Sequence, residues 1–311
     1  MIIIAGEALV DMVANQDKKQ TFTGVPGGAA YNVACALGLL ETQPGFVCPI
    51  SNDKLGDLLL ARMQECGAEY LLKQRVNAPT PLALVTVDDN SQPSYSFYRQ
   101  GTADRMLHHY DMHKVAPTNT QIVHITGFCL NEADDYQQWL TLINAARAQG
   151  AIISVDPNVR ESLISDPEDY RKRIKALLAI AHIVKLSDED LQYLYPELSL
   201  ADAQEKLQSL TLLSIITLGS KGAQIICDGR TLHIDARKIE HIVDTVGAGD
   251  CFSAAYLYQL QYFGITKPEQ LTLLDKQQMI DMVTFASTAA AINCGRKGCQ
   301  PPTVDEIKNY A

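Results

Sequence analysis

Near the C-terminal end the run Asp244-Thr245-Val246-Gly247-Ala248-Gly249-Asp250-Cys251-Phe252 sets a carboxylate directly after three residues with almost no side chain. Bare residues let the backbone N–H groups of Gly247, Ala248 and Gly249 come close to a ligand. The apolar helical pattern that follows adds the unpaired amides and the positive dipole end of a helix N-terminus. Such a turn is a pocket for an anion. Asp250, an acid on its lip, is repelled by whatever anion the pocket holds, so its presence calls for a chemical task. Removing a proton from a hydroxyl while the pocket holds a phosphate is such a task.

Three further clusters carry residue types that meet sugars and phosphates. Gly24-Val25-Pro26-Gly27-Gly28-Ala29-Ala30-Tyr31-Asn32-Val33-Ala34 places two glycines where a helix begins and puts Asn32, both donor and acceptor, one turn in. Taken alone, Gly27-Gly28 reads as a packing device. Thr217-Leu218-Gly219-Ser220-Lys221-Gly222 follows a strand pattern and reads either as a plain β-turn or as backbone and hydroxyl contacts to a nucleotide. Asp156-Pro157-Asn158-Val159-Arg160 lies at a strand's C-terminal end, where parallel sheets bind ligands. Arg160 there is a planar fork for phosphate or an ordinary surface arginine. Other chemistries fall away on inspection. No G-x-x-x-x-G-K-[ST] occurs, which excludes a P-loop, and Phe252 stands where a dinucleotide fingerprint needs its third glycine. No H-E-x-x-H occurs, and a structural metal is not expected.

These clusters need elements to hold them. Short β-rich runs at 2–5, 45–49, 122–126, 151–155, 183–186 and 214–218 alternate with helical patterns at 28–40, 54–66, 134–149, 167–180, 253–262 and 278–293. That alternation predicts βαβ units in a three-layer α/β/α fold around a mostly parallel central sheet. One stretch breaks the rhythm: 82–87 and 95–99 read as strands around the turn signal Asp88-Asp89-Asn90-Ser91. Period-2 alternation puts Tyr95, Phe97 and Arg99 on one face and Ser96 and Tyr98 on the other. A small β lid over a site is expected around 82–99, with contributions from about 12–24, on a single domain spanning 1–311.

The 311 residues carry a formal net charge of −10 and are 47% hydrophobic, which argues for an ordinary globular core and against nucleic acid or an anionic membrane as partner. No apolar run reaches about 18 residues, so no spanning helix is expected. Met1-Ile2-Ile3-Ile4-Ala5-Gly6-Glu7 lacks a basic flank and reads as a buried strand rather than a signal peptide. The eight cysteines are scattered with no C-x-x-C pair, which predicts reduced, buried thiols and a cytoplasmic address. Cys294 and Cys299 read as unrelated thiols.

In order and spacing the clusters resemble the ribokinase-like (PfkB-type) carbohydrate kinases over essentially the whole chain. Gly27-Gly28-x-x-x-Asn32-x-Ala34 is similar to that family's N-terminal signature, and Asp244 to Asp250 to its C-terminal one. The resemblance implies ATP-dependent transfer of the γ-phosphoryl group to a sugar hydroxyl, with Asp250 as catalytic base and Gly247, Ala248 and Gly249 as anion hole. It implies substrate contacts from Asp11, Gly28, Asn32, Tyr98, Arg99 and Arg160. On the nucleotide side it implies Asn158, Lys185, Ser187, Thr217, Gly219, Gly222 and Asn293. Many relatives carry N-x-x-E beside the Mg²⁺–phosphate network. Lys185-Leu186-Ser187-Asp188-Glu189-Asp190 departs from this and leaves open whether Glu189 or Asp190 supports the metal through water. ATP and Mg²⁺ are the implied cofactors, K⁺ held by backbone carbonyls is a further family trait, and a homodimer is the expected assembly. The stretch 95–104 and the Gly6-Glu7 opening resemble the fructokinase branch, so fructose is the expected acceptor. Ketodeoxygluconate kinases, and nucleoside or riboside kinases, are the alternatives within the family. A catalytically silent sugar-binding regulator is the alternative of a different class, and the retained Asp250 stands against it.

Overall fold

Ile2, Ile3, Ile4 and Ala5 are wholly buried in the strand β1 (Ile2–Gly6) and turn alternately to its two sides. Ile2 and Ile4 join one apolar core, and Val123, Trp139 and Ile153 gather with Ile3 and Ala5 in a second. Two cores on opposite faces of one strand require a sheet covered on both sides. The computed structural model describes residues 1–15, 21–87 and 93–310. The strands that follow β1 are β2 (Leu9–Ala14), β3 (Phe22–Gly27), β4 (Gly45–Val47), β5 (Glu69–Tyr70), β6 (Leu82–Val87), β7 (Pro93–Tyr98), β8 (Ile122–Thr126), β9 (Ile152–Asp156), β10 (Ile183–Ser187), β11 (Leu213–Thr217), β12 (Ala223–Cys227) and β13 (Arg230–Ile234). The helices are α1 (Ala29–Leu39), α2 (Lys54–Cys66), α3 (Ala133–Ala148), α4 (Pro167–Leu178), α5 (Asp188–Leu194), α6 (Leu200–Gln208), α7 (Ala248–Tyr262), α8 (Pro268–Leu271), α9 (Lys276–Cys294) and α10 (Val304–Lys308).

The nine-stranded sheet runs β13-β12-β11-β10-β9-β8-β1-β4-β5. It is parallel from β11 to β5, with β12 and β13 added antiparallel at one edge. Residues of α1, α2, α7 and α9 fill the first core, and residues of α3, α4, α5 and α6 the second, giving the three layers. Each wholly buried isoleucine stabilises the fold by roughly 2 kcal/mol of transfer free energy. A polar chain crosses the first core: His124 Nδ1 lies 2.9 Å from Ser154 Oγ, which lies 2.7 Å from Tyr256 Oη. It ties α7 to β8 and β9, and burial holds His124 neutral, its proton affinity lowered to about 4.

The second sheet, β3-β2-β6-β7, contains the segments expected to form a lid, and is termed the lid. It is a four-stranded sheet with a parallel β2–β6 pair at its centre, not a lone hairpin. The turn signal at 88–91 lies outside the described residues. Two other differences bear on the site. The helix expected from 253 begins five residues earlier at Ala248, because Gly247 takes the left-handed conformation that starts it. The antiparallel β12–β13 edge and the short α5 and α6 lie outside the expected elements. Among the described residues no helix is long and apolar enough to cross a membrane. Seven cysteines are buried, Cys299 is half-buried, and all eight are free thiols.

Candidate active site

The C-terminal ends of β1, β8, β9, β10 and β11 are neighbours in the sheet, and Glu7, Gly127, Asp156, Ser187 and Thr217, at or just past those ends, line one cleft of about 690 Å³. Asp11, Tyr95 and Phe97 of the lid form its roof, and the start of α7 forms part of its floor. This is the place where parallel sheets present strand ends and helix N-termini to a ligand.

The floor is a held turn. Asp244 accepts the Val246 amide at 3.0 Å and the Gly298 amide at 2.8 Å, one with each carboxylate oxygen. Gly247 sits at φ +77°, and any side chain there would collide with the Cys299 thiol, so both the conformation and the space require glycine. Among the described residues, the amides of Gly247, Gly249 and Asp250 have no acceptor. Ala248 departs from expectation: its amide is spent on the Thr245 carbonyl at 3.2 Å, closing the turn that aims its neighbours. Asn293 also departs. It is wholly buried behind the turn, donating to the Val246 carbonyl and accepting from the Gln300 amide, each at 2.8 Å. It positions the turn instead of lining the cleft.

Asp250 lies in the first turn of α7 with 8% of its surface exposed, and Asn32 Nδ2 donates to its Oδ2 at 2.9 Å. Burial raises its proton affinity to about 6, while Asn32, Lys185 and Arg160 pull it down and Asp156 pushes it up. Lys185, buried in the middle of β10, donates to Asp156 Oδ2 at 2.7 Å, and Asp156 Oδ1 takes the Asn158 amide at 3.0 Å. Asn158 and Arg160 both line the cleft. That amide bond holds Asn158 at φ +41°.

At the acceptor end, Asp11 lines the cleft and burial raises its proton affinity to about 6. Gly27 and Gly28 sit beside it because a side chain at Gly27 would collide with the Asp11 carboxylate, and one at Gly28 with the Glu7 carbonyl. Two expected contacts are corrected. Tyr98 is 59% exposed and points away from the cleft: it pairs with Leu82, in the row of Val10 on the outer face of the sheet, whereas Phe97 pairs with Ala83, in the row of Asp11 on the inner one. Arg99 is held within the wall. It donates to Asp104 at 2.7 and 3.0 Å and stacks 4.3 Å over the Phe128 ring, whose other surroundings include the cleft.

At the other end Thr217, Ser187 and Glu189 line the cleft. Asp190 also lines it, but its oxygens accept the amides of Val159 and Ser187, both at 3.0 Å, so it caps α5 and fixes the 157–160 loop. Gly219 and Gly222 lie outside the lining. Gly222 is a turn glycine whose side chain would collide with the Ile234 carbonyl. The lining groups outside the expected set include Glu7, Asp156 and Phe128. The place of Glu7 and Asp156 at or just past the ends of parallel strands was the available signal; for Phe128 there was none.

Comparison with known proteins agrees with this geometry. A family model described as pfkB family carbohydrate kinase matches residues 1–306. A fructokinase of Rhizobium leguminosarum bv. trifolii is 32% identical over 286 residues, covering 90% of this chain and 85% of its own. A probable fructokinase-3 of Arabidopsis thaliana is 29% identical over 324 residues, covering 99% of this chain and 90% of its own. Among solved structures, a fructokinase with bound ATP from Xylella fastidiosa superposes with a TM-score of 0.89 at 27% identity, covering 99% of this chain and 96% of its own.

Proposed function

The chain belongs to the pfkB family of carbohydrate kinases, and from that premise we propose that it moves the γ-phosphoryl group of ATP onto a hydroxyl of fructose. The observation that carries this is the shared floor: the Asp250 carboxylate and the unspent amides of Gly247 and Gly249 line one cleft. The acceptor hydroxyl donates to Asp250. As its oxygen bonds to phosphorus and the bond to the ADP oxygen breaks, the proton passes to Asp250. Charge growing on the phosphoryl oxygens meets the two amides and the fields of Lys185 and Arg160. Asn32 occupies Oδ2 of the base, which leaves Oδ1 to the hydroxyl.

The donors present fit a polyphosphate, since unpaired amides and a buried lysine face the cleft beside Thr217. Glu189, an oxygen donor without a competing hydrogen bond to its carboxylate among the described residues, suits Mg²⁺ held through water, which when bound neutralises phosphate charge. K⁺ joins as a trait of the family. The acceptor end supports a neutral sugar over a sugar acid: Asp11 and Asp250 are carboxylates, and the nearby Arg99 is already paired with Asp104. Hydroxyls donate to carboxylates, whereas a sugar carboxylate meets repulsion. The protein is further inferred to act as a homodimer through the outer face of the lid.

The test is ADP release with Mg-ATP and a panel of fructose, ketodeoxygluconate, ribose and adenosine. Fructose is expected to give the highest kcat/KM. Turnover confined to another acceptor replaces fructose, and binding of sugar without ADP release favours the silent regulator.

A further inference from the structure

One carboxylate in the cleft wall takes no part in the transfer described above. Glu7 follows β1 with 1% of its surface exposed. Its Oε1 accepts the Ala29 amide at 2.9 Å and its Oε2 the Cys129 amide at 3.3 Å. The first amide opens α1 and the second belongs to the turn after β8. At the N-cap of α1 stands Gly28, which offers no capping side chain. Glu7 caps the helix from the neighbouring strand instead, its carboxylate taking Ala29 and its main-chain carbonyl taking the Tyr31 amide at 3.3 Å. A carboxylate is favoured at that positive end. The backbone opposite leaves room for it: Gly127 sits at φ +95°, and any side chain there would collide with both Glu7 oxygens. One turn into the capped helix, Asn32 reaches Asp250.

We propose that Glu7 is a positioning residue of the phosphoryl transfer: by holding two amides at once it fixes the first turn of α1 against the turn after β8, and through Asn32 it sets the orientation of Asp250. The kinetic half of this rests on the sugar-kinase reading; the structural half rests on the Glu7 contacts alone. The two N–H donors lie against different oxygens, and the ionised carboxylate is the form in which both oxygens are full acceptors. Burial raises its proton affinity to about 7, Arg99 and the Ala29 amide lower it, and Asp250 raises it. The charged and titratable groups packed toward it are Arg99 beyond β7, itself paired with Asp104, then Cys48 beyond β4, Cys129 beyond β8 and Asp250 on α7. The acid limb of kcat/KM then includes Glu7, at about 7, above Asp250 and Asp11, both at about 6.

The test compares the full chain with Glu7→Gln, which keeps the shape but has one acceptor oxygen and no charge, and with Gly127→Ala, which crowds the same oxygens. Glu7→Gln is expected to lower kcat roughly tenfold and leave the KM for ATP within about twofold, since the contacts at β10 and β11 are untouched. Its acid limb should lose the highest ionisation and move to lower pH. Amide hydrogen exchange over residues 29–32, read without substrate at about pH 8, should quicken roughly tenfold in both variants. Unchanged kcat with unchanged exchange in folded Glu7→Gln overturns the proposal, as does an acid limb that does not move. If Glu7→Gln does not fold, exchange in Gly127→Ala decides. If wild type turns over no acceptor, the kinase reading fails, and the exchange result still decides for or against Glu7.

Discussion

Asp250, the proposed base, is placed where its charge is disfavoured. Burial raises its proton affinity to about 6 despite the Asn32 hydrogen bond and two nearby cations. That strengthens it as a proton acceptor and sets two opposite pH dependences. Activity needs the ionised form, so kcat/KM should fall as pH drops through about 6. Stability runs the other way. A carboxyl whose folded value is raised stabilises the fold fully below its unfolded range, and that contribution is lost as pH rises through about 6. Asp250→Asn should therefore lower kcat by roughly 10²–10⁴ with little change in ATP affinity. Its Tm should fall less between acid and neutral pH than that of wild type. Steady-state kinetics and melting curves across pH check both, and near-wild-type turnover would remove Asp250 from its role.

At the scale of elements, α7 begins where a glycine has no alternative. Gly247→Ala forces a left-handed residue to carry a methyl group against Cys299. It should destabilise the fold by about 1–3 kcal/mol and lower kcat, both measurable on one preparation; equal melting and equal turnover would show the turn to be more tolerant than its geometry. What sequence made legible was local. The parallel strands show as short apolar runs, and the Gly-Ala-Gly turn with Asp250 carries its chemistry in contiguous residues. Alternation put Phe97 and Tyr98 on opposite faces, although it gave no means to tell which face looks inward. That depends on the β2–β6 pairing, made between segments about seventy residues apart. Arg99 was invisible as a wall residue for the same reason. Its alternation face is right, but Asp104 and Phe128 claim it only once the chain is folded. Asp190 was legible and overlooked: Ser187-x-x-Asp190 is a capping box, which commits that carboxylate to backbone amides.

At the scale of the molecule, a net charge of −10 coexists with a site for a polyanion because amides, Lys185 and Arg160 set the field locally. The lid has two faces with two tasks. Its inner face presents Asp11, Tyr95 and Phe97 to the cleft; its outer face exposes Phe22 at 42% and Tyr98 at 59%. Large exposed aromatics on a sheet suit a second copy of the same surface. Light scattering is expected to give a dimer for wild type and a shift toward monomer for Tyr98→Ser; a monomeric wild type would leave that face without the inferred role.

The thiol beneath the Gly247 turn is a slow-reacting chemical handle on the site. Cys299 fills the space a side chain at 247 would take, and it also opens on a side cavity of about 310 Å³ shared with Asn32. Hydrogen bonding to Cys251 and burial hold its proton well above the usual thiol range, so alkylation should be slow at neutrality and quicken in alkali. A carbamidomethyl group added by iodoacetamide that turns toward Gly247 instead of into the cavity would displace the turn before Asp250. Inactivation should follow labelling of this one cysteine and be slowed by saturating ATP, and an enzyme fully labelled at 299 yet fully active would mean that the turn yields.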